Sequence, residues 1–312
     1  MLEFESSLRP LEHQLEEVRR RQAGNGSSAD EEQLRSRLED GLRDIYSQLT
    51  PWQKAQVARH RERPYTLDYL QWAFSDFVEL HGDRSFADDR SIVGGPAMLE
   101  GRPVMVVGQQ KGRDTKENLT RNFGMPHPEG YRKAERLMKA AERLGLPVVT
   151  FVDTPGAHAG LEDEERGQSE AIASSISTML DLRVPTVCVI IGEGGSGGAL
   201  AIAVADRILM LEHSTFTVAS PEAAAAILWR DAAYAPDAAA SMRITAQELR
   251  QLGLIDCIVP EPLGGAHQDH AAAARAVAEA VLSALVELES MREDERLDRR
   301  YDKYRRISFI EE

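Results

Sequence analysis

Five glycines within seven residues stand near the middle of this chain, in the stretch Ile191-Gly192-Glu193-Gly194-Gly195-Ser196-Gly197-Gly198-Ala199. An apolar run, residues 184–191, precedes the stretch, and an alanine-rich segment, residues 199–203, follows it. This order predicts a buried strand, a glycine-rich turn and a helix. Because glycine carries no side chain, the backbone N–H groups of such a turn can reach a ligand at the start of the helix.

The stretch matches a dinucleotide-binding pattern. It contains G-x-G-x-x-G at residues 192–197, and Glu212 ends the next apolar run, where that pattern requires an acid. The helical segment, residues 198–205, is short for the crossover of a dinucleotide-binding fold, which needs about a dozen residues. This length argues against dinucleotide binding.

The same residues match two catalytic arrangements. The pattern G-x-S-x-G at residues 194–198 is the turn that presents the nucleophile of serine hydrolases, here Ser196. Asp256 and His267 follow in the order that a hydrolase triad needs, although chance easily produces this order. The other arrangement is an oxyanion hole of backbone N–H groups, in which neither Ser196 nor Glu193 reacts. The glycines alone leave these possibilities open, together with a purely structural role in close strand–helix packing.

Composition narrows the classes of function. The 312 residues suffice for one or two domains with a full core. A net charge of −14 argues against nucleic acid as the main partner, because phosphate binding requires a cationic surface. Cys188 and Cys257 lie in apolar runs without a Cys-x-x-Cys pair, so we expect reduced, buried thiols and no metal site. The lack of a signal segment and of long apolar runs predicts a cytoplasmic protein without membrane contact.

Periodicity predicts three regions. Leucines at helical spacing in residues 8–18 and 34–49, separated by the polar segment 23–27, predict a helical hairpin within residues 1–65. Ser28 and Glu31 form a possible capping box for its second helix. The hairpin either packs on its own domain or contacts a partner subunit. We expect the main domain in residues 66–290 and a charged tail or helix in residues 291–312.

From residue 92 the pattern changes to strands. Residues 92–99 and 103–108 predict a β-hairpin, and residues 147–152 and 184–191 predict buried strands that are each followed by a turn and a helix. The architecture predicted from this order is a series of repeated β-β-α units. We expect the turn after Asp153 and the turn after Ile191 to lie side by side at one end of a sheet.

Three groups of polar residues have competing interpretations. Lys111, Arg113, Lys116 and Arg121 form a basic cluster that either binds phosphate or carboxylate groups or is a solvated loop. The acidic run at residues 162–165 is interpreted as a solvated helix N-terminus. His127, between two prolines, is interpreted as a feature of loop geometry, because the sequence offers no companion ligand at metal-binding spacing.

Long motifs along the chain carry a family resemblance. They lie at residues 82–84, 108–115, 122–130, 153–157, 164–172, 192–199 and 261–267. In order and content they resemble the alpha subunits of the carboxyltransferase of bacterial acetyl-coenzyme A carboxylase, over nearly the whole chain. The resemblance implies an α/β fold of the crotonase (ClpP/crotonase) type, a spiral of repeated β-β-α units, here with an N-terminal helical hairpin.

The resemblance also implies partners. A beta subunit of similar fold carries a four-cysteine zinc ribbon, and the two chains are expected to form an α2β2 heterotetramer. Carboxybiotin is presented by the biotin carboxyl carrier protein, and the biotin carboxylase component uses ATP. No cofactor is expected to be bound covalently to this chain.

The implied reaction uses no side chain as a nucleophile. Carboxybiotin releases CO2, and the backbone N–H groups of Gly197 and Gly198 stabilise the negative charge on the ureido oxygen. The biotin anion then takes a proton from acetyl-CoA, and the enolate, held by the beta subunit, attacks CO2 to give malonyl-CoA for fatty acid biosynthesis. The residues assigned to substrate binding are Gly194, Gly195, Ser196, Thr154, Pro155, Gly156, Ala157, Lys111 and Arg113.

The chain departs from the family pattern in two segments. Where the family shows Ala-Tyr-Pro-Gly after Asp-Thr-Pro-Gly, this chain has Ala157-His158-Ala159-Gly160, and Ala223 replaces glycine in Ser-Pro-Glu-Gly-Cys-Ala. Both segments are expected near the approach of biotin, so the packing of the ligand there stays open. The alternative functions are carboxyl transfer to another acyl-CoA and hydrolysis by Ser196.

Overall fold

The structure is a computed structural model that describes residues 2–21 and 29–307. Its strands are β1 (Ile92–Leu99), β2 (Arg102–Gln109), β3 (Val148–Thr154), β4 (Thr186–Gly195), β5 (Arg207–Leu211), β6 (Thr215–Thr217) and β7 (Cys257–Val259). Its α-helices are α1 (Arg9–Arg21), α2 (Ala29–Ser47), α3 (Pro51–Ala58), α4 (Thr66–Ala73), α5 (Thr115–Thr120), α6 (Pro128–Leu144), α7 (Leu161–Glu165), α8 (Gln168–Asp181), α9 (Ser196–Leu200), α10 (Pro221–Trp229), α11 (Ala235–Met242), α12 (Ala246–Gln251), α13 (His270–Glu289) and α14 (Glu293–Arg306). None of these helices combines the length and the apolar character needed to cross a bilayer.

The sheet is mixed, and it begins with the predicted hairpin. β1 and β2 are antiparallel and are joined by Glu100 and Gly101, whose φ angles of 47° and 76° suit a type I′ turn. The order β1-β2-β3-β4-β5-β7 then continues with parallel pairs, and β6 pairs with β4 outside this order. Helices cover both faces, so that side chains such as Met138 and Phe151 are fully buried on opposite sides.

Strand β4 changes partner along its length. Residues 187–190 pair with β5, whereas residues 193–195 pair with β6. The register between β3 and β4 also shifts, between Val152 and Thr154. This irregularity ends the regular sheet at the first glycines, so the turns that follow β3 and β4 lie at the same end of the sheet.

Helices flank the sheet at both ends of the chain. α1 packs against α2, as expected for the predicted hairpin. Ser28, the predicted N-cap of the second helix, lies outside the described residues. At the other end α14 is anchored by Arg300, which is 2 % exposed and donates hydrogen bonds of 2.7 Å to both carboxylate oxygens of Asp206. The charged C-terminal segment is therefore docked on the sheet as far as Ile307. The division into domains at residues 65 and 290 stays a prediction.

A buried ion pair fixes β4 immediately before its glycines. The guanidinium of Arg63 donates to the carbonyl oxygen of Ile191 at 2.9 and 3.2 Å. It also donates to both carboxylate oxygens of Glu261 at 2.7 and 2.8 Å, and both side chains are fully buried. Burial alone would raise the pKa of Glu261, but the Arg63 charge outweighs it and lowers the pKa to about 2.

Removing this cation is expected to destabilise the fold strongly. Arg63→Met leaves Glu261 as an uncompensated buried charge, which costs about 3–5 kcal/mol of the free energy of unfolding. Urea unfolding at pH 7 measures this loss. The control Arg102→Met breaks an exposed ion pair with Glu289 and should cost less than about 1 kcal/mol.

The ion pair between Arg63 and Glu261 also predicts that the free energy of unfolding depends on pH. Because the pKa of Glu261 is lowered from 4.5 to about 2 in the folded chain, its stabilisation is complete above pH 4.5 and is lost as the pH falls toward 2. Equal losses for the Arg63 and Arg102 variants at pH 7 would contradict the role given to this pair.

Candidate active site

Two turns lie in direct backbone contact at the end of the sheet. A Cβ atom placed on Gly195 would lie 2.1 Å from the carbonyl oxygen of Pro155, and one on Gly198 would lie 2.4 Å from the backbone nitrogen of Ala157. No side chain fits at either glycine without moving the opposite backbone. The structure therefore brings together the turn residues predicted from the sequence, which are Thr154, Pro155, Gly156, Ala157, Gly194, Gly195, Ser196, Gly197 and Gly198.

The glycine turn presents backbone donors at the start of α9. Ser196 enters the helix with a φ of 54°, a conformation that is uncommon for a residue with a side chain. The N–H groups of Gly197 and Gly198 belong to the first helical turn, where the helix itself supplies no acceptor. No other described residue accepts a hydrogen bond from either group. Gly197 is partly exposed and Gly198 is buried directly behind it, so a ligand approaches this turn from the side of Gly197.

Helix α9 is shorter than predicted. The sequence suggested a helix to about Ala205, but α9 ends at Leu200. The hydroxyl of Ser175 donates to the carbonyl oxygen of Ala201, and the hydroxyl of Thr150 donates to that of Ile202, both at 2.6 Å. These hydroxyls satisfy the carbonyls of the two residues that follow the last turn of α9. A helix of five residues adds little macrodipole, and the hydrogen bonds themselves must dominate.

Gln109 joins the two turns from beneath. Its side chain is fully buried, accepts a hydrogen bond from the N–H of Asp153 at 3.0 Å and donates to the carbonyl oxygen of Gly198 at 2.8 Å. A single amide thus fixes the spacing between the turn after β3 and the glycine turn. Sequence reasoning missed this role, although a polar residue at the end of an apolar strand was a signal for it.

A buried charge network surrounds Glu193. The ammonium group of Lys111 lies 2.7 Å from an oxygen of Asp153 and 3.0 Å from an oxygen of Glu193, and Arg59 contacts the other Glu193 oxygen at 2.6 Å. Burial would raise the pKa of Glu193, but Lys111 and Arg59 outweigh it and lower the pKa. Burial would lower the pKa of Lys111, but the two carboxylates outweigh it and raise the pKa. Glu193 and Lys111 are therefore charged at neutral pH, and neither is poised for proton transfer.

Arg113 lies elsewhere, against the segment before α4. It donates to the carbonyl oxygens of Arg61 at 2.7 Å and Arg63 at 2.8 Å, pairs with Asp68 and stacks on the ring of Tyr65. The cations of Lys111 and Arg113 are thus bound by acceptors of the chain itself. Substrate contact by either residue stays a prediction.

The hydrolase triad suggested by residue order is not assembled. Ser196 is exposed, and no described histidine or carboxylate forms a hydrogen bond with its hydroxyl. Asp256 pairs with Lys303, while His267 stacks on His60 at 3.9 Å between ring centroids. Among the residues that the structure describes, none can therefore act as the base that would activate Ser196.

Comparison with known proteins identifies the family. The model of the family described as "Acetyl co-enzyme A carboxylase carboxyltransferase-like" matches residues 1–308. The chain belongs to this carboxyltransferase family. It is 55% identical to the acetyl-coenzyme A carboxylase carboxyl transferase subunit alpha of Thermus thermophilus, over 100% of this chain and 99% of that one. The subunit alpha of Azoarcus sp. is 53% identical, over 97% of this chain and 95% of that one.

Solved structures of other carboxyl-transferring enzymes share the fold. The transcarboxylase 12S structure with methylmalonyl-coenzyme A matches with a TM-score of 0.60 and 19% identity, over 74% of this chain and 42% of that one. A Pseudomonas malonate decarboxylase hetero-tetramer in complex with coenzyme A matches with a TM-score of 0.58 and 20% identity, over 70% of this chain and 90% of that one. The predicted crotonase-type fold, carboxyltransferase family and enzyme class are confirmed.

In this carboxyltransferase, an apolar hollow of about 460 Å³ opens beside Ser196 and Gly197. Leu200 and Phe216 form part of its wall, and the other lining residues are Thr217, Val218, Leu249, Leu254 and Ile307. The hollow can accept an apolar group whose polar end reaches the free N–H groups of the turn. Sequence analysis did not predict it, because its wall combines residues from four separate segments.

The two donor glycines should differ in their tolerance of a side chain. Gly198→Ala forces a Cβ against the backbone of Ala157 and within 2.8 Å of the Tyr131 hydroxyl, so we expect a loss of about 1–3 kcal/mol in the free energy of unfolding. A Cβ on Gly197 meets only Ile172, at an ordinary 3.6 Å, and Gly197→Ala should change stability by less than about 1 kcal/mol. Denaturant unfolding of both variants measures the difference, and equal stabilities would refute the close contact of the turns.

Proposed function

We propose that this chain is the alpha half of a carboxyltransferase that moves the carboxyl group of carboxybiotin to acetyl-CoA and so forms malonyl-CoA for fatty acid biosynthesis. The observation that carries the proposal is the pair of N–H groups at Gly197 and Gly198, which have no acceptor among the described residues, beside an apolar hollow that Gly197 lines. Such a pair, in a member of this family, suits a substrate oxygen that becomes negatively charged.

The substrate supplies the reactive group, and this chain supplies the hydrogen-bond donors that stabilise its negative charge. Carboxybiotin releases CO2 by cleavage of its N–CO2 bond, and the bonding electrons leave negative charge on the ureido oxygen of biotin, which the two N–H groups bind more tightly than they bind the neutral ground state. Only an interaction that strengthens in the transition state accelerates the reaction, and preorganised backbone donors have this property. The short contacts across Gly195 and Gly198 keep the donors fixed before substrate arrives.

Side chains around the turn have supporting roles in this proposal. Gln109 and the Lys111–Asp153–Glu193 network hold the two turns, so we assign Lys111 to positioning. Pro155, Gly156 and Ala157 form the wall opposite the donors. The apolar hollow next to Gly197 excludes water from the released CO2 and from the anion, which preserves both for transfer.

A partner subunit completes the site in our proposal. The thioester enolate of acetyl-CoA needs a second set of donors, which we assign to the zinc-ribbon beta subunit of an α2β2 assembly. Large apolar side chains on and beside α10, including Ile227 (76% exposed) and Leu228 (64% exposed), provide a surface for such a partner. Biotin carboxyl carrier protein and an ATP-using biotin carboxylase deliver the substrate. The cytoplasm, where ATP and acetyl-CoA are available, is the proposed location.

Blocking the donors should abolish most of the transfer. Gly197→Val places a branched side chain beside the N–H pair at a position with space for it, so the fold is kept while the oxygen is obstructed. We expect malonyl-CoA formation by the reconstituted alpha–beta pair to fall by about 10²–10³. The unmodified chain should show no transfer without the beta subunit. Near-normal turnover of the variant would refute the assignment of the donors.

In the alternative function, serine hydrolysis, the Ser196 hydroxyl would have to act as the nucleophile. Because this hydroxyl has no base, we expect no reaction with a fluorophosphonate probe and less than about a tenfold change in transfer rate for Ser196→Ala. A hydrolase nucleophile would instead lose about 10⁶ in kcat on this substitution. Strong, stoichiometric labelling that disappears in Ser196→Ala would favour the hydrolase.

A further inference from the structure

Two histidines and one aspartate converge beside the turn after β3. His127 immediately precedes α6, His158 lies in the loop that follows Ala157, and Asp163 belongs to α7. His127 Nδ1 lies 2.5 Å from Asp163 Oδ1, and His158 Nδ1 contacts Asp163 Oδ2. One ligand atom from each residue lies within 4.8 Å of the others. The sequence offers no companion ligand for His127 at metal-binding spacing, and the structure brings His158 and Asp163 beside it from elsewhere in the chain.

In this cluster the carboxylate is buried and the two imidazoles are partly exposed. The Asp163 side chain is only 2% exposed, although the acidic run that contains it was interpreted as solvated. The imidazoles of His127 and His158 are 29% and 32% exposed. An ion from solvent can therefore reach the imidazole rings, and on binding it would replace the direct contacts between their Nδ1 atoms and the Asp163 carboxylate.

The backbones that carry both histidines are already held in place. The N–H of His158 donates to the carbonyl oxygen of Pro126 at 3.1 Å. The amide of Gln168 donates to the carbonyl oxygens of Pro126 at 2.9 Å and His158 at 2.8 Å. These hydrogen bonds do not involve the imidazoles, so the ligand atoms are brought together without an ion. Such preorganisation lowers the cost of binding one.

The surrounding charges favour a cation. Arg166 donates to Asp163 Oδ1 at 3.0 Å and also contacts Glu129 at 3.3 Å, so the three groups together carry one negative charge. Asp163 Oδ2 faces His158 and is free of Arg166. A carboxylate with one oxygen on a metal and the other held by a hydrogen-bond donor is the usual arrangement around metal ligands.

We propose that His127, His158 and Asp163 bind one divalent transition-metal ion of the zinc class. Two neutral imidazoles and one carboxylate form a ligand set that suits zinc, with water in the fourth position. The ion would link the start of α6 to the loop that follows Ala157, and thus support the wall opposite Gly198. This inference does not depend on the reaction proposed above.

Cobalt binding to the full-length chain alone tests the site, since the zinc ribbon expected in the beta subunit is then absent. After treatment with a chelator, Co2+ is titrated and its visible absorption recorded, and Zn2+ is added as a competitor. We expect one Co2+ per chain, with the spectrum of a four- or five-coordinate nitrogen–oxygen site, displaced by Zn2+. His158→Ala and Asp163→Asn should each weaken binding by at least about tenfold.

A matched control separates this cluster from other exposed histidines. His81 lies 3.1 Å from Asp88 and 3.7 Å from Glu79, and His81→Ala should leave Co2+ binding unchanged. A crystal of the unmodified chain with Zn2+ adds a measurement that needs no variant: an anomalous peak between the three ligands supports the proposal. No saturable binding, equal binding by the His158→Ala and Asp163→Asn variants, or a peak elsewhere would overturn it.

Discussion

The contact between two backbone turns, one after β3 and one after β4, is the constraint on which this site depends. At Gly195 and Gly198 the opposing main chain comes so close that a single added carbon atom would collide with it. The partner change along β4 delivers the glycine turn to this place, and Arg63 binds the Ile191 carbonyl just before it. The donors of Gly197 and Gly198 are thereby fixed by the fold itself, without an ordering step when a ligand arrives.

The charged residues near the turn support it. The ammonium group of Lys111 lies between the largely buried carboxylates of Asp153 and Glu193, and each of the three residues is attached to one of the two turns or to the strand beneath them. Removing one partner would leave the others buried and uncompensated, which makes such a network a rigid support. The chemistry assigned to the site therefore falls to backbone N–H groups, and this agrees with a Ser196 that has no base.

The strands predicted at residues 92–99, 103–108, 147–152 and 184–191 are present, because alternating or continuous apolar runs and glycine turns are local signals, although β4 continues to Gly195 in the predicted turn. The sequence also predicted the family, because long motifs lie in order along the chain. It could not predict contacts between distant residues, such as Lys111 with Glu193 or His127 with Asp163. The same holds for the hydrogen bonds beyond the end of α9, since the hydroxyls of Thr150 and Ser175 that bind the carbonyls there come from other elements.

The most direct test of the central claim is a structure of this chain with the beta subunit and a bound biotin analogue. We expect the ureido oxygen of the analogue about 2.7–3.1 Å from the backbone nitrogens of Gly197 and Gly198, with both N–H groups directed at it. A biotin ring bound far from these residues, or N–H groups turned away from its oxygen, would contradict the account.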